Sequence, residues 1–368
     1  EWNDLLWLLF LVSIIFQALL WGVYYVVWRQ SDTRYVADQA PLSVIICARN
    51  EAVNLRRHLP AVLQQEYPGF ELIVVDDAST DETAAVLAAF QREFPDRLCA
   101  LRIDHKTHPG KKQSLALGIE AASNEILVFT DADCRPSTNR WLRRLAAPFA
   151  VASTEIVLGY GPMMPAAGLL NAWARFETAM IALQYFTWAK AGRPYMGVGR
   201  NLAWRRPLFA RAGGFHTQFD LASGDDDLLV NALANAQNTA ICLHPDAWVW
   251  SAAPQTLRAW FRQKRRHLTA GRRYRPLDQL LLAATGLSHA GVYACGCTLL
   301  LQGFWAWPLS VLAVRAIALR AFFTPHFRRL GVEAIYRCQP LPDIGWAVYQ
   351  GLLTPVLLLL GKWSKQRW

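Results

Sequence analysis

The chain has 368 residues, with 38 Lys and Arg against 28 Asp and Glu, and 53% hydrophobic against 18% charged residues. That length holds one sizeable soluble domain plus membrane segments, and the charged fraction is low for a wholly soluble protein. A net charge of +10 points to nucleic acid, an anionic membrane surface or an acidic substrate. No zinc-finger, homeodomain or RNA-recognition signature is present, so nucleic acid is not an expected partner.

The first element in chain order is the uncharged run Leu5 to Trp28. At about 1.5 Å per residue it can cross a bilayer core of roughly 30 Å. It lacks the basic start and small-residue cleavage site of a signal peptide, so it is expected to stay as a membrane anchor. Glu1 and Asp4 precede it, and Arg29 and Arg34 follow. The positive-inside rule then puts the following segment in the cytoplasm.

From about Pro41 the pattern becomes soluble α/β. Strands are expected at Leu42 to Cys47, Glu71 to Val75, Leu98 to Ile103 and Glu125 to Phe129. Helix-like stretches lie between them at Glu51 to Gln65, Asp81 to Phe94 and Gln113 to Ala122. Short apolar strands alternating with helices predict a mostly parallel sheet covered on both faces, with the active site beyond the carboxyl ends of its strands. After Arg275 the chain turns apolar again. Leu280 to Leu301 can span. Phe304 to Phe323 is interrupted by Pro308, Arg315 and Arg320, and Ile344 to Leu360 is short and holds Pro355. Four spans would place the basic tail (Lys362, Lys365, Arg367) outside, so one of the last two runs is expected to lie in the interface or re-enter. The expected division is residues 1–30 as anchor, 41–275 as a cytoplasmic domain and 276–368 as a C-terminal membrane region. Several of the 16 Trp sit at the ends of apolar runs, as in an interfacial aromatic belt. The seven Cys are scattered without disulfide or zinc-ligand spacing, which fits reduced thiols in a cytosol-facing domain.

The chemistry sits at the strand ends. The second strand runs into Asp76-Asp77-Ala78-Ser79-Thr80-Asp81, and the fourth into Thr130-Asp131-Ala132-Asp133. Carboxylates collected at one rim of a parallel sheet repel one another unless a cation joins them, and oxygen ligands favour Mg²⁺ or Mn²⁺ over zinc. Either motif alone also reads as a helix cap or a solvated turn. In Ser223-Gly224-Asp225-Asp226-Asp227, three adjacent carboxylates precede an apolar helix. They suit an over-supplied cap or a general base whose pKa is raised by its neighbours. Gln263-Lys264-Arg265-Arg266-His267 is either a basic patch for anionic lipid or a cationic wall around a diphosphate. His105 and His108 read as solvated loop residues.

These motifs, in this order from about Pro41 to His267, resemble the family 2 glycosyltransferases, and most of all the membrane branch with cellulose, chitin and hyaluronan synthases. Ala48-Arg49-Asn50-Glu51 is similar to the family's base-contacting first-strand motif. Asp76 to Asp81 resembles its Asp-Asp-Gly-Ser-x-Asp turn, with Ala78 where Gly is usual. Gly110-Lys111-Lys112 resembles the lysine loop near the diphosphate, with Lys111 the matching Lys, and Asp131-Ala132-Asp133 the metal-binding Asp-x-Asp. Gly199-Arg200-Asn201 is similar to a segment near the acceptor. Gly224-Asp225-Asp226 resembles the motif whose last Asp is the base, with Asp225 and Asp227 as the alternative registers. Gln263-x-x-Arg266-His267 resembles Gln-x-x-Arg-Trp, and His267 departs from the Trp that supports the acceptor sugar, which leaves processivity open.

The resemblance implies a GT-A type fold and inversion at the anomeric carbon. It gives Asp226, Arg266 and Gln263 catalytic roles. Ala48, Arg49, Glu51, Asp76, Asp77, Lys111, Asp131 and His267 would bind the donor, and Asp131 and Asp133 would hold Mg²⁺ or Mn²⁺. The expected partners are a nucleotide-diphosphate-sugar, a lipid-linked or glycan acceptor, and membrane lipids, at a bacterial inner membrane. Transfer of one sugar to a polyprenyl phosphate carrier is the alternative, and a catalytically silent scaffold that binds nucleotide-sugar is a third reading.

Overall fold

The computed structural model describes residues 1–29, 40–216, 219–221, 223–338 and 340–360. Arg34, Lys362, Lys365 and Arg367 lie outside the described residues. By packing, the chain divides into two units. One holds 32–164 and 188–253; the other holds 1–31, 165–187 and 254–364. Two stretches within the 41–275 span, 165–187 and 254–275, thus pack with the apolar helices.

The first unit is an α/β sheet. β1 (Leu42–Ala48), β2 (Phe70–Asp77), β3 (Leu98–Ile103) and β4 (Ile126–Asp131) are parallel and ordered β3-β2-β1-β4. All seven residues of β1 are buried, as expected for a strand covered on both faces. α2 (Ala52–Leu63), α3 (Thr83–Glu93) and α4 (Lys112–Ala121) connect these strands. α4 lies close on the sheet: a Cβ at Gly118 would come within 2.7 Å of Ile45 Cγ2. The sheet continues with β6 (Ile156–Gly159), β7 (Leu202–Arg205) and β8 (Thr239–Cys242) in the order β4-β7-β6-β8, with β7 antiparallel to both its neighbours. A short antiparallel pair, β5 (Cys134–Pro136) and β9 (Val249–Ser251), stands apart from it. α5 (Trp141–Ala146), α7 (Pro207–Arg211) and α8 (Asp227–Leu233) complete the unit. The expected mostly parallel sheet with helices is present. The strand order reverses between β1 and β4, and a crevice opens beyond the strand ends at such a switch point.

The second unit is helical. α1 (Trp2–Arg29), α10 (Pro276–Leu301) and α11 (Ala306–Arg329) are long and apolar enough to cross a membrane. Small residues let α1 and α10 approach closely: a Cβ at Gly296 would lie 3.1 Å from Phe10 Cε2. Gln17 donates to Ser288 Oγ at 2.8 Å across the same contact. Arg315, which interrupts the apolar pattern of α11, is buried and paired with Asp343 of α13 (Leu341–Val348). His289 Nε2 lies 3.2 Å from Asp343 Oδ1, so the charge at the centre of this helical unit is balanced locally. The run Ile344 to Leu360 is broken into α13, a π-helical turn at Tyr349–Leu353 and α14 (Thr354–Leu360). α12 (Glu333–Tyr336) is a short connector. α6 (Leu169–Lys190) contributes 169–187 to this unit, and α9 (Leu257–Gly271) belongs to it wholly.

Candidate active site

The strand register assembles the site. Ala48 at the end of β1 pairs with Asp76 of β2, and Cys47 pairs with Asp131 of β4. Asp76, Asp77 and Asp131 therefore emerge at one rim, from the two strands that flank β1.

Side chains bind two loops of that rim together. Asn50 N–H donates to Ser79 Oγ at 2.9 Å, and Thr80 N–H donates to Asn50 Oδ1 at 2.8 Å. Asp81 accepts from Thr83 N–H at 3.0 Å and from Ala52 N–H at 3.3 Å, tying the starts of α2 and α3 together. Asp76 Oδ1 accepts from Ser79 N–H at 2.9 Å, so Asp76 shapes the turn. Asp77 is fully buried and ion-paired with Lys106, and its Oδ1 has no protein partner. Ala78 takes φ +54°, the left-handed region that favours glycine. Replacing Ala78 by Gly should stabilise the domain by up to about 1 kcal/mol, read as a higher melting temperature in detergent. An unchanged or lower one would show that the turn bears no strain.

Lys111 sits at the centre of the acidic cluster. Its Nζ lies 2.7 Å from Asp131 Oδ1 and 3.3 Å from Asp225 Oδ2. Burial alone would lower its pKa, but Asp131, Asp225 and Asp226 overturn this and hold it well above the ordinary lysine value. Asp226 stands at the N-terminal end of α8, yet its side chain makes no capping bond. Its Oδ2 accepts from Gly199 N–H. A Cβ at Gly199 would fall 2.8 Å from that oxygen, so only glycine admits the contact. Burial, and then Asp225, push the Asp226 carboxyl above the usual carboxylate range, against Lys111 and two backbone N–H groups. Asp225 and Asp226, together with Lys111, Cys47, Gly199 and Trp204, line one cleft. Asp227 does not line it.

Asp131, Asp133 and Cys134 bring ligand atoms within 4.8 Å of one another. Burial and then Asp131 raise the Asp133 pKa, against a hydrogen bond from Cys134 and the charges of Arg200 and Lys111. Cys134 is held as a thiol by burial and by the two carboxylates, and its Sγ–H contacts Asp133 Oδ1 at 3.3 Å. Two carboxylates beside a neutral thiol fit a hard, oxygen-preferring cation such as Mg²⁺ or Mn²⁺. Glu51 lies in the same field: burial and the charges of Asp133, Asp131 and Asp81 raise its pKa, against a hydrogen bond from Asn54. Arg49, half-buried, follows the end of β1.

Several contributors carry no motif of their own. Lys112, beside the matched Lys111, is fully buried and donates to Leu221 O at 2.8 Å and Ser223 O at 2.6 Å. It thereby holds the approach to Asp225 and Asp226. Asn201 is also fully buried; it donates to Tyr160 O and Ala247 O and accepts from Trp141 Nε1 at 3.0 Å. It fixes the segment that presents Gly199. Adjacent lysines look alike in sequence, and only the fold decides which one turns inward. His108 stacks on Phe219 with ring centroids 4.2 Å apart.

Gln263, Arg266 and His267 lie on α9, in the helical unit. Arg266 Nη2 is 3.5 Å from His267 Nε2, and Gln263 Oε1 is buried without a protein partner. Lys264, between them in sequence, turns to Glu177 of α6 instead, at 2.8 Å.

A parallel sheet with a switch-point crevice, lined by paired carboxylates and a lysine, is the plan of a nucleotide-dependent transferase. The chain matches the family model for Glycosyl transferase family 2 over residues 43–197 and that for Glycosyl transferase family group 2 over residues 126–324, and it belongs to the family 2 glycosyltransferases. It is 25% identical over 249 residues to Probable glycosyltransferase YdaM of Bacillus subtilis, a match covering 65% of this chain and 56% of that one. It is 32% identical over 92 residues to a poly-beta-1,6-N-acetyl-D-glucosamine synthase of Staphylococcus epidermidis, covering 25% of this chain and 21% of that one. The chain thus spans about half or less of the length of these relatives. Among solved structures, it superposes on the mannosyltransferase PcManGT of Pyrobaculum calidifontis, in complex with GDP-Man and Mn²⁺, with a TM-score of 0.59. That alignment has 22% identity and covers 94% of this chain and 99% of that one, a likeness of fold.

Proposed function

We propose that this chain is an inverting, divalent-metal-dependent glycosyltransferase. It moves a sugar from a nucleotide-diphosphate donor to a hydroxyl of a lipid-linked or polysaccharide acceptor, at the cytoplasmic face of a bacterial inner membrane. One observation carries the reading. Lys111 joins Asp131, of the Asp131-x-Asp133 pair, to the buried Asp225, next to Asp226. This supports charge stabilisation for a departing diphosphate and a base for the incoming hydroxyl at one rim.

Asp226 takes the proton from the acceptor hydroxyl. The freed oxygen forms a bond to the anomeric carbon from the face opposite the diphosphate, and the bond from that carbon to the diphosphate oxygen breaks. The raised Asp226 pKa favours proton uptake over that of an ordinary carboxylate. Lys111 receives charge that develops on the leaving oxygens. When bound at Asp131 and Asp133, Mg²⁺ or Mn²⁺ supplies further neutralisation of the diphosphate. Ala48, Arg49, Glu51, Asp76 and Asp77 hold the nucleoside. The roles of Gln263 and Arg266 in catalysis and of His267 in donor binding rest on the resemblance of these α9 residues to the family motif.

Membranes carrying the chain, given radiolabelled UDP-, GDP- and dTDP-sugars with Mn²⁺, should transfer label from at least one donor to a lipid-extractable or polymeric product. Product size separates single addition from chain extension. No transfer and no hydrolysis of any donor would end the reading in favour of a silent scaffold.

A further inference from the structure

The helical unit contains a cavity of its own, between α1, α6, α10, α11 and the broken segment that follows them. Its walls include the rings of Trp21, Tyr24, Phe176 and Trp346. Three neutral amides, Gln17, Gln184 and Gln350, also line it. Gln17 is engaged with Ser288 of α10. Gln350 Oε1, in contrast, is buried without a protein partner. Gln350 belongs to the π-helical turn Tyr349–Leu353, a local change of helical register of the kind often found at functional sites. This turn presses on α10, because a Cβ at Gly351 would overlap Ala290 Cβ. The cavity is thus offered an acceptor oxygen that lacks a donor, and a ligand that completes the bond is favoured there.

The charges around the cavity are already matched. Asp343 lines it, but its carboxylate is taken by Arg315, by the Tyr293 hydroxyl and by His289. Arg315 does not line the cavity; its guanidinium lies over the Trp21 ring, 5.2 Å from the centroid. Depth points the same way. At about 1.5 Å per residue, the lining positions from Gln17 to Tyr24 and from Leu319 to Phe323 lie roughly 8–18 Å inside Arg29 and Arg329, which end α1 and α11. Both helices are long and apolar enough to cross a bilayer, which places the cavity within one leaflet, below the level of lipid phosphates. An anion carried to that depth loses its hydration and finds no uncommitted cation on the cavity wall.

We propose that this cavity binds the head of a neutral, hydroxyl-bearing lipid of the diacylglycerol class. The lipid's hydroxyl donates to Gln350 Oε1, the Gln184 amide donates to an ester carbonyl beside it, and the glycerol backbone packs on the aromatic walls. An aromatic pocket with a few placed polar groups, between the helices of a bundle, is the usual build of such a site. The site is made by the helical unit alone and does not depend on the donor chemistry proposed above.

The test is photolabelling of the full chain in detergent by a diacylglycerol that carries a diazirine in one acyl chain. Unlabelled diacylglycerol, phosphatidate and polyprenol serve as competitors. The wild type should be labelled within the cavity-lining helices, and diacylglycerol should compete at least about tenfold more strongly than phosphatidate or polyprenol. Gln350→Leu, which keeps the size and removes the acceptor, should lose about tenfold in labelling. Its melting temperature without lipid should be no lower than that of the wild type, because a buried unpaired oxygen has gone. Leu352→Ala, at an exposed position of the same turn, should label as the wild type does. Undiminished labelling of Gln350→Leu, or labelling that diacylglycerol does not displace, would overturn the proposal. A preference for phosphatidate would also overturn it, and would move the choice to Arg315, whose Nε and Nη2 have no hydrogen-bond partner. Equal competition by polyprenol would remove the diacylglycerol assignment. The competition series is read on the wild type, so it stands even where a variant fails to fold.

Discussion

Asp226→Asn should lower the rate of sugar transfer by about 10²- to 10⁴-fold, the range expected when a positioned general base is lost. Donor affinity should change little, because the amide keeps the shape and an acceptor oxygen for Gly199 N–H. The pH profile gives an independent readout. Burial holds the Asp226 pKa above its ordinary carboxylate value, and a base works only when deprotonated. Activity should therefore rise with pH through an acid limb above the usual carboxylate range, and fall as pH drops below that raised pKa. A variant with wild-type turnover would move the base to Asp225, which lines the same cleft.

Asp133→Ala should cost about 10²- to 10³-fold in turnover, on the scale of losing one charge stabiliser at a leaving group. The effect should be larger at limiting Mn²⁺ than at saturation, because the substitution weakens the ion's site. Chelation should silence the wild type, and added Mn²⁺ or Mg²⁺ should restore it. Turnover that persists in excess chelator would end the metal reading. Asp133 is the better residue for this test, since Asp131 also anchors Lys111 at 2.7 Å and its loss would disturb two functions together.

The first half of the sheet was legible in the sequence because its strands are continuous apolar runs. Observed β1 extends one residue beyond the expected Leu42 to Cys47, and β3 matches Leu98 to Ile103. The acidic rim was legible for the same reason: carboxylates directly after buried strands emerge together. Strands β5 to β9 were not legible. They have three or four residues each, too few for a period to show. The partition of the helices was hidden for a different cause. Arg315 looks like a break in a span until Asp343 is seen beside it, and α9 looks like part of the soluble domain until Lys264 is seen on Glu177. Both depend on partners distant in the chain, which no local pattern records.

That last contact restricts how the protein can be tuned. Glu177 is fully buried and also accepts from Trp260 Nε1 at 2.9 Å, so two side chains a turn apart on α9 converge on one carboxylate. Rolling the helix would strand an ion in an apolar interior, at a cost of about 3–5 kcal/mol. The stripe bearing Gln263, Arg266 and His267 therefore keeps one orientation within the helical unit, and variation there is confined to exchanging side chains on a fixed backbone.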